Sequence, residues 1–231
     1  MSAARRVVIT GAASGIGRAI AARLAGDGWS VVGIDRHWPD GARVDDHVFD
    51  LAKLAAISAF AETLKPIDAL VHCAGIAAVG AFAEDDPASW RALIDVNLLV
   101  AIALSHALLP AMIARGGGAI VAITSDSARV GAAGEAVYSA SKGGLAAFVR
   151  SLAQEVGRNG ITVNAVSPGP VRTTLSEGRA DLLDRLARKT PLGRIAEAED
   201  VAGTVAWLLG ADARFVTGQT ISVSGGLTML P

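Results

Sequence analysis

The chain has 231 residues, 52% of them hydrophobic, and a formal net charge of −1. That fits one large α/β domain with a substantial core, and the balanced charge leaves no basic footprint for nucleic acid. Its single cysteine, Cys73, excludes an intrachain disulfide and fits a reducing, cytoplasmic compartment, and no apolar run approaches membrane-spanning length.

Val7-Val8-Ile9-Thr10 is a short β-branched run that predicts a strand. Gly11-Ala12-Ala13-Ser14-Gly15-Ile16-Gly17 follows, then a helical stretch from Ala19 to Leu24. Strand, glycine turn and helix in that order make a phosphate site. The glycines let the backbone approach a pyrophosphate, and the helix N-terminus offers free N–H groups and a positive dipole end. The spacing is G-x-x-x-G-x-G rather than G-x-G-x-x-G, and a glycine cluster alone is often only a turn. A second strand, Ser30 to Ile34, ends at Asp35. A carboxylate there can hold both ribose hydroxyls of NAD and repel a 2′-phosphate. Arg36 pulls the other way, because an arginine can hold that phosphate. The strand-end place of Asp35 favours NAD over NADP.

Only Arg36 to Arg43 separates this strand from the next, Val44 to Phe49. Parallel neighbours normally need a crossover of about a dozen residues, usually a helix. Here it is reduced to a loop. Trp38 in that loop has two readings: a cover for the sheet edge or adenine pocket, or a partly exposed loop aromatic. Asp50 is placed to cap a helix over Leu51 to Leu64. A strand over Ile67 to Val71 leads to His72-Cys73-Ala74-Gly75. His72 and Cys73 are not read as a nucleophile pair. Strand neighbours point to opposite faces, and a buried thiol is usually inert. Trp90 to Ala114 reads as a long helix with a broad apolar face, kinked or ended at Pro110.

Ala119 to Thr124 predicts a buried strand. Ser125 to Lys142 follows and runs into a helix over Gly143 to Glu155. Tyr138 and Lys142, four residues apart, share one face near its start. An ammonium beside a phenol stabilises the phenolate and lowers the tyrosine pKa, which makes Tyr138 a candidate general acid/base. The same spacing is also a common surface pair, so its weight comes from context. Ile161 to Val166 is the next buried strand, broken by Ser167-Pro168-Gly169-Pro170. Arg179, Arg185, Arg188 and Lys189, against Glu177, Asp181 and Asp184, read first as a solvated helix face and second as a lure for an acidic or acyl-CoA substrate. Glu199 to Leu209 predicts a helix, and Thr220 to Val223 the last strand.

In this order, Thr10 to Gly17, Asp50-Leu51, Ala74-Gly75, Asn97, Ser125, Tyr138-Ser139-Ala140-Ser141-Lys142, Asn164, Ser167 to Pro170, Thr217-Gly218-Gln219 and Gly225-Gly226 resemble the short-chain dehydrogenase/reductase family over nearly the whole chain. The resemblance implies one α/β domain over 1–231: a Rossmann-like, doubly wound parallel sheet of seven strands with helices on both faces, and a short substrate lid at about 172–190. It implies an NAD-dependent alcohol dehydrogenase or ketoreductase. Tyr138 would be the acid/base. Ser125, thirteen positions earlier, would orient the substrate oxygen, with Ser127 a nearby rival and Thr124 turned away. Lys142 would hold the nicotinamide ribose. Asn97 would hold a relay water through a backbone carbonyl freed by local distortion. Cofactor contacts are implied at Gly11, Ser14, Gly15, Ile16 and Gly17. Asp35 and Arg36 would meet the adenosine ribose, and Asp50 with Leu51 the adenine. Ala74 and Gly75 would approach the ribose. Pro168 and Gly169 would lie against the nicotinamide, with Val171 and Thr173 on its carboxamide and the pyrophosphate, and Thr174 sharing that role. No metal is implied.

The partners implied are a small alcohol or ketone and further copies of the chain, a homotetramer built partly on the long helix, with no nucleic acid and no membrane. Two departures stand out. The usual Asn-Asn-Ala-Gly is His72-Cys73-Ala74-Gly75, and the usual Val-Asp-Gly-Gly has Ser224 for Asp. The trimmed crossover resembles the group containing 2,3-dihydro-2,3-dihydroxybenzoate dehydrogenase. Ser125-Asp126, Glu135 to Tyr138 and the Ser224-Gly225-Gly226 ending resemble 2-hydroxycyclohexanecarboxyl-CoA dehydrogenase and related hydroxyacyl-CoA dehydrogenases. The alternatives are a non-catalytic NAD(H) sensor, a 3-oxoacyl reductase using NADPH, and a same-fold enoyl reductase or epimerase. The Y-x-x-x-K spacing speaks against the enoyl reductase.

Overall fold

The computed structural model describes residues 4–39, 45–173, 178 and 180–229. Its strands are β1 (Arg6–Thr10), β2 (Ser30–Asp35), β3 (His47–Val48), β4 (Ala69–His72), β5 (Gly118–Ile123), β6 (Ile161–Pro168), β7 (Val171–Arg172), β8 (Ala196–Glu197) and β9 (Thr220–Val223). Seven of them form one sheet in the order β3-β2-β1-β4-β5-β6-β9, and every neighbouring pair is parallel. The order reverses between β1 and β4, which opens a ligand crevice beyond their C-terminal ends. The short β7–β8 ladder was not expected from the sequence.

A parallel sheet buried on both faces needs apolar residues at successive positions, and the central strands supply them. Val8, Val32, Leu70 and Ile120 face one core layer, completed by α2 (Ile57–Glu62), α4 (Val100–Arg115) and α6 (Ala136–Val156). Val7, Ile9, Val71 and Val121 face the other, completed by α1 (Gly15–Gly26) and α8 (Ala198–Leu208). The remaining helices are α3 (Pro87–Ile94), α5 (Ser127–Val130) and α7 (Ala180–Lys189).

The described part of the β2–β3 connection contains no helix. Trp38 packs on the α1 side of the sheet, with its Cη2 2.6 Å from where a Gly33 Cβ would stand. Its Nε1 donates to the His47 carbonyl at 3.3 Å. Of its two readings, the cover over the sheet edge is the one seen. The third strand is shorter than Val44–Phe49, and Val44 lies outside the described residues. Phe49 still bonds the Asp35 carbonyl at 2.8 Å and stacks on Phe60.

Three helix boundaries differ from expectation. The helix over Leu51–Leu64 is a turn, a 3₁₀ segment (Leu54–Ala56) and α2, because Lys53 has ψ 64 and breaks the helical path. Pro110 does not end the long helix, which continues to Arg115 and closes on Gly116 in the left-handed region. Helix also begins earlier, at Pro87, behind the Asp86 cap. The continuous helical run Pro87–Arg115 is therefore long and apolar enough to cross a membrane by length and composition, contrary to the sequence reading. Leu93, Leu104, Leu108 and Met112 nevertheless sit in the core. Part of the expected lid, 174–177 and 179 with Thr174, Glu177 and Arg179, lies outside the described residues. The rest includes α7, which buries Leu183 and exposes Asp181, Asp184, Arg185, Arg188 and Lys189, as a solvated face would.

Candidate active site

At the N-terminal end of α1, the backbone of Gly11 passes so close to Ala74 that a Cβ would lie 2.8 Å from the Ala74 Cα. Its φ of +68 independently requires glycine. A Cβ on Gly17 would fall on the Gly11 carbonyl. Thr10 locks this approach, because its Oγ1 accepts from both Cys73 N and Ala74 N at 3.0 Å. Ser14, at the N-cap, makes no side-chain capping bond, so the first-turn N–H groups at Gly15, Ile16 and Gly17 are left for an anion. Thr173 reaches the same loop, 3.5 Å from the Gly15 Cβ position, and Val171 is buried behind it. Asp35 ends β2, where its carboxylate accepts from Ala13 N at 3.1 Å and Arg36 N at 2.8 Å. The Arg36 side chain is exposed. Asp50 is exposed and accepts from Ala52 N at 3.1 Å, capping a turn rather than a helix, and Leu51 beside it is buried. Glycines without room for a Cβ, uncapped helix N–H groups and a strand-end carboxylate together fit a dinucleotide.

Across the crevice, α6 carries Tyr138 and Lys142. Lys142 is buried, and its ammonium donates to the Ile123 carbonyl at 2.9 Å. It stands 3.2 Å from the Gly75 Cβ position, as does Asn97 Oδ1, so Gly75, Asn97 and Lys142 form one cluster. Asn97 lies in a π-helical turn, Asp95–Leu99, the local distortion expected there. Its side chain has a further task. It pairs with Ile76 through both N–H and carbonyl at 2.9 Å and donates to Ser141 Oγ at 3.0 Å. Ser125 lies near enough to Tyr138 to favour its phenolate, and the Ser125 Oγ is 2.9 Å from Ser127 Oγ. Thr124 points away, donating to the Val166 carbonyl at 3.0 Å.

The electrostatics correct one expectation. Burial pushes the Tyr138 phenol up rather than down; the Ser125 hydroxyl offsets part of this, and Glu135 and Cys73 add to it. Burial also pushes Lys142 down to about 8. Desolvation is the largest influence on each group, not the ammonium–phenolate attraction expected from their spacing. Burial likewise holds Cys73 up, at about 12, as an inert thiol. His72 turns the opposite way from Cys73, into the other layer, where Nε2 meets Ser105 Oγ at 2.8 Å.

Sequence reasoning missed a second cluster behind Ser125. Asp126 is buried and accepts from Ser167 Oγ at 2.6 Å and Ser222 Oγ at 2.8 Å. A buried acid among hydroxyls on three strand ends is visible only in three dimensions. The one available signal was Ser224 where the resembled family carries an acid. Beside Tyr138, a small hollow is lined by Ala78, Phe82, Leu93, Glu135 and Val137.

Comparison with known proteins agrees with this geometry. A family model described as enoyl-(acyl carrier protein) reductase matches residues 11–228. Acetoacetyl-CoA reductase of Allochromatium vinosum is 35% identical, over 98% of this chain and 99% of the relative. 2,3-Dihydroxy-2,3-dihydro-p-cumate dehydrogenase of Pseudomonas putida is 37% identical, over 96% and 94%. Ligand-free aldohexose dehydrogenase of Thermoplasma acidophilum superposes with a TM-score of 0.91 at 29% identity, covering 99% of this chain and 97% of that one. Motif order, sheet topology and whole-length relatives converge, and the chain belongs to the short-chain dehydrogenase/reductase family, oxidoreductases that interconvert alcohols and ketones with a nicotinamide cofactor.

Proposed function

We propose that the chain is an NAD-dependent dehydrogenase/ketoreductase for a secondary alcohol, working as a cytoplasmic homotetramer. The observation that carries this reading is the buried Lys142–Asn97 cluster at Gly75, with Tyr138 one turn before Lys142 on α6 and Gly11 packed against the adjacent Ala74. When bound, the nicotinamide supplies the hydride acceptor or donor. Ser125 donates to the substrate oxygen. Tyr138 gives its phenol proton to the carbonyl oxygen in reduction and, as the phenolate, takes the hydroxyl proton in oxidation. Preorganised donors at that oxygen supply most of the acceleration. Lys142 holds the ribose. Asn97 fixes the Ile76 loop and keeps the α6 approach open to a relay water. Asp35 accepts from the ribose hydroxyls, Asp50 and Leu51 border the adenine, and Pro168, Gly169, Val171 and Thr173 flank the nicotinamide end. The 172–190 segment serves as lid.

A cyclic alcohol or diol is the first substrate class, supported by the dihydrodiol dehydrogenase relative. A hydroxyacyl-CoA remains the second substrate class, supported by the acetoacetyl-CoA reductase relative and by Arg36 beside Asp35, which would also admit NADPH. The test has two arms. Tyr138→Phe is expected to keep NADH binding, read by fluorescence, while turnover falls about 10³-fold. Retained turnover removes Tyr138 from its role, and NADH binding with no turnover of any substrate by the unmodified chain favours a sensor. A panel of cyclic diols, hydroxyacyl-CoAs, aryl alcohols and enoyl thioesters, run with NAD and NADP, is expected to favour NAD and a diol. Faster reaction with NADP would overturn the reading of Asp35.

A further inference from the structure

The acid not used by the mechanism above is Asp126. It is 4% exposed, and no cationic side chain bonds it among the described residues. A buried carboxylate left unpaired is costly, so its partners must be many and well placed. They are. One oxygen accepts from the Ser167 hydroxyl at 2.6 Å and the other from the Ser222 hydroxyl at 2.8 Å. The Asp126 N–H donates to the Pro168 carbonyl at 2.9 Å. One residue therefore joins β5, through Ser125, to the ends of β6 and β9.

What these bonds hold is the turn at Pro168-Gly169. Gly169 N donates to the Val223 carbonyl at 3.0 Å. A Cβ on Gly169 would lie 2.9 Å from the Ser224 Cβ and 3.9 Å from Asp126 Oδ2. The Ser222 hydroxyl stands between two candidates for its proton, Asp126 Oδ2 at 2.8 Å and Ser224 Oγ at 3.1 Å. A carboxylate on either side of it could accept that proton. This chain has it on the Ser125 side, where it fixes the serine and the turn together.

We propose that Asp126 is a positioning residue, which locks the Pro168-Gly169 turn to the Ser125 segment and so sets the nicotinamide wall against the substrate oxygen. This rests on the reading of that turn as the nicotinamide wall. Groups that act by alignment show their loss in turnover more than in substrate binding.

The experiment compares Asp126→Asn, Asp126→Ser and the exchange Asp126→Ser with Ser224→Asp. Binding of NADH and of ADP-ribose, which lacks the nicotinamide, is measured by calorimetry. Turnover is followed on whichever alcohol the unmodified chain oxidises. Asp126→Ser is expected to lower kcat at least ten-fold, leave the alcohol KM within about two-fold, and weaken NADH about five-fold more than ADP-ribose. Asp126→Asn, which keeps one acceptor oxygen, falls between. The exchange is expected to recover most of the lost NADH affinity. Equal weakening of both ligands, no change, or no recovery in the exchange overturns the positioning role. If the unmodified chain binds NADH no better than ADP-ribose, the turn is not the nicotinamide wall, and both readings fall.

Discussion

His72 illustrates how one substitution alters the chemistry of a buried position. Its ring is 4% exposed, Nδ1 has no partner, and burial pushes its pKa from 6.5 down to about 3, with the Lys142 charge adding to the shift. The unfolded imidazole takes a proton below about pH 6.5. Between that pH and about 3 the unfolded state binds more protons than the folded one, so stability rises with pH across that window. This contribution is fully present above pH 6.5 and is lost on acidification toward pH 3. Its limiting slope is about 1.4 kcal/mol per pH unit. His72→Asn, which keeps a polar group for Ser105, is expected to flatten the stability profile between about pH 6 and 5, before most carboxylates titrate. Urea unfolding across that range reads it, and an unchanged slope would mean the ring is hydrated. At the same scale, Tyr138 and Lys142 are both moved by desolvation. The free protein therefore holds the phenol protonated at neutral pH.

Among the elements, the shortened β2–β3 connection stands out. A crossover helix would bury an apolar stripe over β2, and here Trp38 does that with one side chain, lying where Gly33 leaves room. The Asp46 carboxylate takes Gly33 N at 3.0 Å from the same side. Truncating a fully buried Trp costs about 3–5 kcal/mol. Trp38 is half-buried, so Trp38→Ala is expected to lower stability by about 2 kcal/mol in urea. A loss under about 0.5 kcal/mol would return Trp38 to a loop aromatic. The π turn at Asp95–Leu99 is the second irregular element. It sets the Asn97 amide against the Ile76 loop and Ser141, so distortion of one helix aligns a loop and a residue of another helix.

For the whole molecule, the outstanding feature is apolar surface. Phe215 is fully exposed, Trp207 is 42% exposed and Ile113 is 38% exposed, while Pro87–Arg115 is apolar well beyond what its buried face uses. Large exposed apolar side chains at more than one place suit a symmetric assembly with more than one interface. Light scattering is expected to give four times the 23.4 kDa chain mass. A monomer at micromolar concentration would refute the tetramer.

The sequence by itself determined the parallel sheet and its switch point, and it named Gly75, Asn97 and Lys142, which the fold brings into one cluster. Strand, glycine turn and helix at Val7–Leu24, and Tyr138 with Lys142 on one helix face, are local patterns whose geometry follows from backbone periodicity. Contacts that join distant segments had to wait for the fold. Asp126 meets Ser222 across 96 positions, and Ser105 reaches His72 across 33. The direction of the Tyr138 and Lys142 shifts was likewise decided by tertiary structure. Spacing told which charge was near, but desolvation depends on everything packed around the pair, and that sum exists only once the chain is folded.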